Sequence, residues 1–266
     1  MLDSWCVVSG YSYRRFLGAW VPFLNFVSPE GSGSFLLWGR HVFCFDGRYC
    51  WMCGLRPPDC DLGLCSFCYG SVRGLRYRLI VEGYDRVYEP GLEEVFGDLL
   101  SRHYVVYIGA FGPLYKVGIT RYDRNGSCRG FVSRLVEQGF DAAVVFDANL
   151  NIIGAQDLER DIAETFGLRD RLYFDDKVSV LHEGFDRQEF FGLVSDVADF
   201  VRGEVVWRVV FRWPRFVDFD EVFDGDFLFG EFVYRRGNIT VARNCSEVLA
   251  VNLNGLVGRG LVSWEV

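Results

Sequence analysis

The chain has 266 residues, of which half are apolar and 17% are aromatic, so it can bury a substantial core and is neither disordered nor of low complexity. Its formal net charge of −8 argues against a protein that coats nucleic acid without discrimination. The longest uncharged apolar run, residues 16–29, contains Pro22 and is shorter than the ~20 residues that span a bilayer. The N-terminus also lacks a signal-peptide pattern, so we expect a soluble cytoplasmic protein.

The N-terminal segment, residues 1–49, predicts short β-strands. Apolar and polar residues alternate there between glycine-rich breaks, as in FLGAW, SFLLWG and HVFCF. Residues 73–84, RGLRYRLIVEGY, predict a further strand after a loop that is rich in cysteine.

That loop lies in residues 50–85 and predicts a zinc site. Two Cys-x-x-Cys knuckles stand eleven residues apart, Cys50 with Cys53 and Cys65 with Cys68. Each knuckle directs two thiolates at one point, and two knuckles complete a tetrahedral S4 site of the structural kind, with no open position. The alternatives are a disulfide pair, which a cytosolic chain disfavours, or buried free thiols. Cys60 or Cys44 could replace one of the four ligands.

The central region predicts helices and strands in alternation. Residues 103–121, HYVVYIGAFGPLYKVGITR, hold two apolar runs around a Gly-Pro turn and predict a β-hairpin, and residues 140–148 predict another strand. Apolar residues recur at helical spacing in four segments, residues 90–103, 125–139, 154–168 and 186–203. The remaining chain to residue 266 returns to short apolar runs typical of strands.

These elements predict an α+β fold. Residues 86–185 would form a central ββαβα unit, with the zinc knuckles inserted before it and residues 186–203 as a connecting helix. The N-terminal segment 1–49 and the C-terminal segment 204–266 each look too small to bury a core alone. We therefore expect these two segments to pack together as one barrel-like unit.

Basic residues concentrate around the predicted hairpin. Residues 101–136 carry six basic side chains against Asp123 alone, a net charge of +5 in a chain whose net charge is −8. This favours a local site for an anion such as phosphate. The candidate phosphate-binding residues are Lys116, Arg121, Arg129 and Arg134. The alternative is a basic surface face that complements the acidic stretch 218–231.

The order of these motifs resembles the core of the GIY-YIG nuclease superfamily. Val106-Tyr107 lies where that family has its first Ile-Tyr, and Lys116-Val117-Gly118 lies where it has Tyr-Ile-Gly, followed by Thr120. Arg134 matches the arginine of the family's first helix, and Glu159 matches its metal-binding glutamate. The motifs KVGITR, RLVEQG and GAQDLE behind the cysteine knuckles more narrowly resemble domain of unknown function 2797, over most of the chain.

The resemblance implies a nucleic-acid-acting protein, with a metal-dependent phosphodiesterase as its most specific form. In that mechanism Tyr107 helps to deprotonate a water, Glu159 holds one Mg²⁺ or Mn²⁺, and Arg134 stabilises the charge that develops on the phosphate. The candidate catalytic residues are thus Tyr107, Lys116, Arg134 and Glu159. Among them Lys116 replaces the second tyrosine of the family, because Tyr115 falls on the other face of the strand. The late asparagine of the nuclease pattern has no match in this chain.

Each candidate also has an ordinary structural interpretation. Tyr107 could be a strand aromatic, Lys116 could lie on an exposed strand face, and Arg134 could pair with Glu137 on a helix surface. Glu159 could pair with a nearby arginine, Arg160 or Arg121. His103, on the Tyr107 side of its strand, is a weaker additional candidate.

The rival function is a non-catalytic, zinc-containing module that holds RNA, DNA or a ribonucleoprotein through the same basic face. A binder of small anions or nucleotides is a third interpretation. None of the three involves a membrane.

Overall fold

A computed structural model describes residues 5–16, 19–83, 93–122, 129–214 and 216–265. The chain is mixed α and β, with one sheet of nine strands and one of four. It divides into two compact units, one made of residues 1–75 with 214–266 and the other of residues 76–213. We call them the larger-sheet unit and the smaller-sheet unit.

Thirteen strands and seven α-helices are described, besides a 3₁₀ turn at Asp61–Gly63. The strands are β1 Cys6–Phe16, β2 Ala19–Ser28, β3 Gly31–Leu36, β4 Gly39–Arg48, β5 Tyr104–Phe111, β6 Leu114–Arg121, β7 Ala142–Leu150, β8 Glu204–Val210, β9 Glu221–Val222, β10 Phe227–Arg236, β11 Ile239–Arg243, β12 Val248–Asn252 and β13 Arg259–Glu265. The helices are α1 Ser66–Tyr69, α2 Val72–Glu82, α3 Glu93–Leu100, α4 Arg129–Gln138, α5 Ile152–Phe166, α6 Phe174–Ser179 and α7 Arg187–Val201. None of these described helices is long and apolar enough to cross a membrane.

The larger sheet combines strands from both ends of the chain. Its order is β3-β2-β1-β13-β4-β10-β11-β12-β9, so β4 lies between β13 and β10. Buried residues from both segments share one core, including Leu24, Phe43, Leu228 and Leu261. Each terminal segment therefore contributes only part of the core, and the two segments bury it together.

The larger sheet is open, so the barrel-like expectation for this unit does not hold in the described residues. The two ends of its strand order are β3 and β9, which do not pair with each other. Strand β9 has only two residues, and β3 begins with Gly31-Ser32-Gly33, a sequence with few side chains for another strand to pack on. These ends give little surface on which to close a barrel.

Residues 73–84, predicted as a strand, instead belong largely to helix α2. The hydroxyl of Ser71 accepts a hydrogen bond from the backbone N–H of Gly74 at 3.1 Å, which caps the first turn. Arg78 and Glu82 pair one turn apart at 3.2 Å, and Leu79 is buried. Leucine and arginine favour helices, so the short apolar run was wrongly assigned to a strand.

The smaller sheet has the order β6-β5-β7-β8, and every pair is antiparallel. On one face, Val106, Ile108 and Val144 share a core with Ile162 of α5 and Val194 of α7. The predicted hairpin is confirmed as β5 and β6, and the four predicted helices are confirmed as α3, α4, α5 and α7 within a few residues. Helix α5 begins where Asn151 accepts a hydrogen bond from the N–H of Gly154 and ends at Gly167 in the left-handed conformation.

Strand β8 lies in the smaller sheet, although we predicted that residues 204–266 pack as one segment with residues 1–49. Residues 204–210 extend the edge of β7. Gly203 before β8 passes close to β7, because a Cβ there would lie 2.8 Å from the carbonyl oxygen of Asp147. The chain therefore turns from α7 directly onto the neighbouring sheet edge, and the C-terminal strands of the larger sheet begin with β9.

Candidate functional site

The four knuckle cysteines lie together in the larger-sheet unit. The sulfurs of Cys50, Cys53, Cys65 and Cys68 all lie within 4.8 Å of one another, and those of Cys53 and Cys65 are 3.9 Å apart. A zinc ion bound at about 2.3 Å from each sulfur would place the sulfurs about 3.8 Å apart. The cluster could therefore hold a metal ion such as zinc, and it includes neither Cys60 nor Cys44 among the described residues.

Backbone groups of the knuckles support a thiolate at the centre of this cluster. Burial raises the pKa of Cys50, but hydrogen bonds from the backbone amides of Cys65, Cys53 and Met52 outweigh it and lower the pKa to about 7. Burial instead raises the pKa of Cys53 and of Cys68, so without a metal ion Cys50 is the thiolate of the cluster. Gly54 closes the first knuckle by donating its N–H to the carbonyl of Cys50 at 2.7 Å. Its φ of +70° favours glycine at this position. The knuckle thus directs its N–H groups at the sulfur that a metal would bind.

A second group of residues comes together in the smaller-sheet unit. Strand β5 contributes Tyr107, β6 contributes Lys116, α4 contributes Arg134 and α5 contributes Glu159. The charges of Arg134 and Glu159 both act on the pKa of Tyr107 and on that of Lys116. Four residues that are up to 52 positions apart in the chain are therefore electrostatic neighbours. We call these four the central cluster.

Tyr107 is buried in this cluster and lies across the neighbouring strand. It pairs in register with Gly118 of β6, and a Cβ at Gly118 would overlap the phenol ring. The ring also packs 5.8 Å from that of Phe140, measured between centroids. Burial raises the pKa of Tyr107 to about 12, although the guanidinium of Arg134 beside the phenol opposes the shift. Tyr107 is therefore protonated at neutral pH and acts as a hydrogen-bonding phenol.

Lys116 is buried, with a relative exposure of 6%, so the interpretation as an exposed strand residue is wrong. Its ammonium donates to the carbonyl of Val117 at 3.0 Å and to the carbonyl of Asp170. Burial lowers its pKa to about 8, while the carboxylate of Glu159 opposes the shift. The ammonium is thus a fixed positive charge at the centre of the cluster.

Glu159 is a half-buried carboxyl group on α5. Burial raises its pKa to about 7; Lys116 opposes this shift and Asp170 adds to it. In the described part of the chain, no hydrogen-bond donor contacts its carboxylate. Its neighbour Arg160 pairs with Asp157. Glu159 therefore presents a carboxylate that no donor of the described residues occupies, beside the charges of Lys116 and Arg134.

Arg134 lies at the surface of the cluster, with half of its side chain exposed. Its Nη1 is 3.9 Å from Oε2 of Glu137, so the expected helix pair is present at a loose distance. The guanidinium also contacts the phenol of Tyr107. Arg134 thereby links the buried cluster to solvent, where a ligand could reach it.

The other predicted site residues lie elsewhere. Arg121 is exposed at the end of β6, on the opposite strand face from Lys116. Burial raises the pKa of Tyr104, which is not part of the central cluster, and the charge of Arg121 opposes this shift. The side chain of Arg129 lies outside the described residues. His103 places Nε2 2.7 Å from Oδ1 of Asp147, which makes it part of a contact between the start of β5 and strand β7.

Sequence reasoning missed three residues beside the central cluster: Tyr77 on α2, and Asp170 and Arg171 in the segment after α5. Asp170 and Arg171 both act on the pKa of Lys116, and Arg171 and Arg134 both act on that of Tyr77. Tyr77 was hidden by the wrong assignment of α2 to a strand. The triplet Arg169-Asp170-Arg171 was a usable signal, because two basic residues follow directly on a predicted helix.

Comparisons of the chain with protein-family models, with curated proteins and with solved structures found no match. Functional inference therefore depends on the two clusters themselves.

Proposed function

We propose that the smaller-sheet unit acts on the phosphate backbone of nucleic acid through the central cluster, as a GIY-YIG-like site. The observation that carries the proposal is the convergence of Tyr107, Lys116, Arg134 and Glu159 from four separate elements. The resemblance assigns phosphate chemistry to Tyr107, Arg134 and Glu159, and Lys116 stands where the family has its second tyrosine. The cysteine cluster in the larger-sheet unit would hold a structural zinc ion.

Phosphate binding would begin at Arg134. Its half-exposed guanidinium offers N–H donors in a plane that matches two phosphate oxygens. Lys116 adds a fixed positive charge behind it, which lies in a low-dielectric environment where charge acts more strongly than in water. A phosphate group would thus meet positive charge both at the surface and beneath it.

The donor set also fits a hard divalent cation. Glu159 offers a carboxylate that lacks a hydrogen-bond donor in the described residues, and Asp170 is a second carboxylate near enough to raise the pKa of Glu159. Oxygen donors of this kind suit Mg²⁺ or Mn²⁺, with substrate phosphate and water as further ligands. A bound ion would polarise the phosphate and acidify a water molecule.

The chain's own residues have defined parts in such a cleavage reaction. Arg134 would hold phosphate oxygens and stabilise the charge that develops on them. Tyr107, protonated at neutral pH, would donate its phenol hydrogen and would need added positive charge nearby to serve as a base. Lys116 would keep Glu159 oriented by electrostatic attraction while its own ammonium stays on backbone carbonyls.

The second candidate is the non-catalytic nucleic-acid-binding module. Two features of this chain favour it. Lys116 stands where the nucleases have a tyrosine, and its ammonium is already bound to two carbonyl oxygens. Tyr107 is fully buried with a raised pKa, which makes it a weak base. Both features are compatible with binding of phosphate without cleavage.

One experiment separates the candidates. Purified protein is mixed with labelled DNA and RNA in Mg²⁺ or Mn²⁺, and both binding and strand cleavage are followed. Cleavage that is abolished in Glu159→Gln, while binding is retained, supports the enzyme. Binding without cleavage in wild type supports the module, and failure to bind any DNA or RNA form contradicts the proposed function altogether.

A further inference from the structure

The segment after α5 lies along the outer edge of β6. The N–H of Val117 donates to the carbonyl of Arg169 at 3.0 Å, and the N–H of Arg169 donates to the carbonyl of Tyr115 at 3.4 Å. The ammonium of Lys116 donates to the carbonyl of the next residue, Asp170. Three hydrogen bonds therefore fix this segment beside the central cluster, and Arg171 is the residue that follows.

Arg171 is held on its other side by α2. Its Nη2 donates to the carbonyl of Val81 at 3.2 Å, near the end of that helix. Gln156 of α5 also contacts α2, because its side-chain amide donates to the carbonyl of Leu79 at 3.1 Å. Arg171 is exposed, and in the described residues only the carbonyl of Val81 accepts from its guanidinium. The remaining donors are thus accessible to a ligand.

Arg171 and Arg134 act on the same three groups. The positive charges of both arginines act to lower the pKa of Lys116, of Glu159 and of Tyr77. Tyr77 is half-buried on α2 and carries a phenol hydroxyl near both guanidinium groups. Arg134 and Arg171 therefore come from different elements to the same cluster as the buried ammonium, beside the carboxylates of Glu159 and Asp170. A phosphate bound there could accept hydrogen bonds from both guanidinium groups.

We propose that Arg171 and Arg134 together form a two-arginine clamp for one phosphate group of the nucleic-acid backbone, with the hydroxyl of Tyr77 as a neutral donor beside it. This inference rests on the proposed function and specifies how the same site holds its ligand. Arginine suits the task because its planar fork donates two parallel hydrogen bonds to a phosphate. A clamp built from α4 and from the edge of β6 would fix the phosphate from two directions.

The test is oligonucleotide affinity as a function of salt. Fluorescence anisotropy of labelled DNA and RNA oligonucleotides of about 20 nucleotides, single-stranded and duplex, gives the slope of log K against log salt concentration. The magnitude of this slope decreases by about 0.7–1 for each cationic side chain that no longer neutralises phosphate charge. We expect Arg171→Ala to weaken binding about tenfold and to reduce the slope by about that amount. Arg171→Lys should retain the slope and recover only part of the affinity, because lysine lacks the fork.

Controls distinguish this role from a structural one. Arg187→Ala removes an exposed arginine near the start of α7 and should leave affinity and slope unchanged. Arg171→Gln removes the charge and keeps a polar side chain at this exposed position, so it should reduce the slope with little change in melting temperature. Tyr77→Phe should weaken binding a few-fold with no change in slope, because a neutral donor releases no counterion.

The outcomes separate the clamp from the proposed function. If Arg134→Ala reduces the slope and Arg171→Ala and Arg171→Gln do not, the clamp is wrong and the proposed function stands. If Arg171→Ala lowers the melting temperature and Arg171→Gln binds as wild type does, Arg171 is structural and the clamp is again wrong. If wild type binds none of the oligonucleotides, the proposed function fails and the clamp fails with it.

Discussion

At the scale of single residues, Glu159 holds its proton more tightly in the folded protein than in an unfolded chain. Its raised pKa of about 7 compares with about 4.3 for an ordinary glutamate. Below the ordinary value both states are protonated. Between the two values the unfolded chain releases its proton while the folded protein keeps it, so rising pH favours the unfolded state. Glu159 therefore makes the protein less stable as pH rises from about 4 to 7.

We expect Glu159→Gln to flatten this pH dependence. The variant cannot ionise, so the wild-type decrease in unfolding free energy between about pH 4 and 7 should shrink by about 1–3 kcal/mol. Urea unfolding at several pH values measures the difference between the two proteins. Glu164→Gln, an exposed position on the same helix, is the matched control and should retain the wild-type pH dependence. Equal pH dependence in wild type and Glu159→Gln would contradict the burial of this carboxyl group.

Gly118 gives a second prediction at this scale. Because a Cβ there would overlap the ring of Tyr107, Gly118→Ala should destabilise the protein by about 1–3 kcal/mol through overpacking. Thermal or urea unfolding measures this destabilisation. Gly97→Ala on α3, where a Cβ meets no atom within 4 Å, should cost nothing or add stability, because alanine favours helices.

A double mutant tests whether the ring of Tyr107 causes the loss of stability in Gly118→Ala. In the background Tyr107→Leu, which removes the overlapping ring, Gly118→Ala should have a much smaller effect. An additive double mutant would show that the glycine is needed for another reason.

The sequence identifies single residues well where their neighbours are set by local pairing. The hairpin over residues 103–121 follows from its two apolar runs, and the pairing of Tyr107 with Gly118 follows from the hairpin. The carbonyl partners of Lys116 could not be predicted, because Asp170 reaches it through a bridge between segments that are distant in the chain. For the same reason the sequence could not decide whether Lys116 is buried or lies on an exposed strand face.

At the scale of elements, the cysteine knuckles carry the clearest prediction. Purified protein should contain about one zinc ion per chain, consistent with one S4 site. Cys50→Ser and Cys68→Ser should each abolish zinc binding and lower the melting temperature, because structural zinc binding is coupled to folding. Metal analysis and thermal unfolding measure both effects.

Cys245→Ser is the control for this prediction. Cys245 is exposed and lies outside the four-cysteine cluster, so the change should leave zinc content and melting temperature as they are. A wild-type protein that holds no zinc, and whose melting temperature does not respond to a chelator, would rule out the metal site.

Elements with a clear helical period were predicted within a few residues, as α5 and α7 show. Helix α2 was not, because Leu-Arg-Tyr-Arg-Leu has the alternation of a strand as well as the spacing of a helix. The capping hydroxyl of Ser71 decides between the two, and its role is visible only when the structure shows where the helix begins. This one error also concealed Tyr77 from the candidate site.

At the scale of the whole molecule, the division into units predicts which fragments fold. A fragment of residues 72–213 contains all four strands of the smaller sheet and its helices, so it should be soluble and melt cooperatively. A fragment of residues 1–203 lacks β8 and the strands β9 to β13, which leaves β4 without either neighbour and exposes the edge of β7. That fragment should aggregate.

Soluble expression and thermal unfolding followed by circular dichroism compare the two fragments. A soluble 1–203 fragment whose transition differs from that of the 72–213 fragment, or is added to it, would mean that β1 to β4 are stable without the C-terminal strands. The sequence indicated that each terminal β segment is too small alone, but it could not show which strands become neighbours. Strand order depends on contacts between residues that are far apart in the chain, and β8 joined the other sheet for this reason.

The position of β4 between β13 and β10 has a consequence for how the protein is made. On the ribosome β4 is complete by Arg48, whereas β10 begins only at Phe227, and at about 5–20 residues per second this interval lasts roughly ten to forty seconds. During that time a strand that carries Phe43 and Phe45 has no partner on either edge. Until the last strands emerge, the unpaired edges of β4 are therefore a site where the newborn chain can aggregate, and residues 76–213 form their own compact unit during that interval.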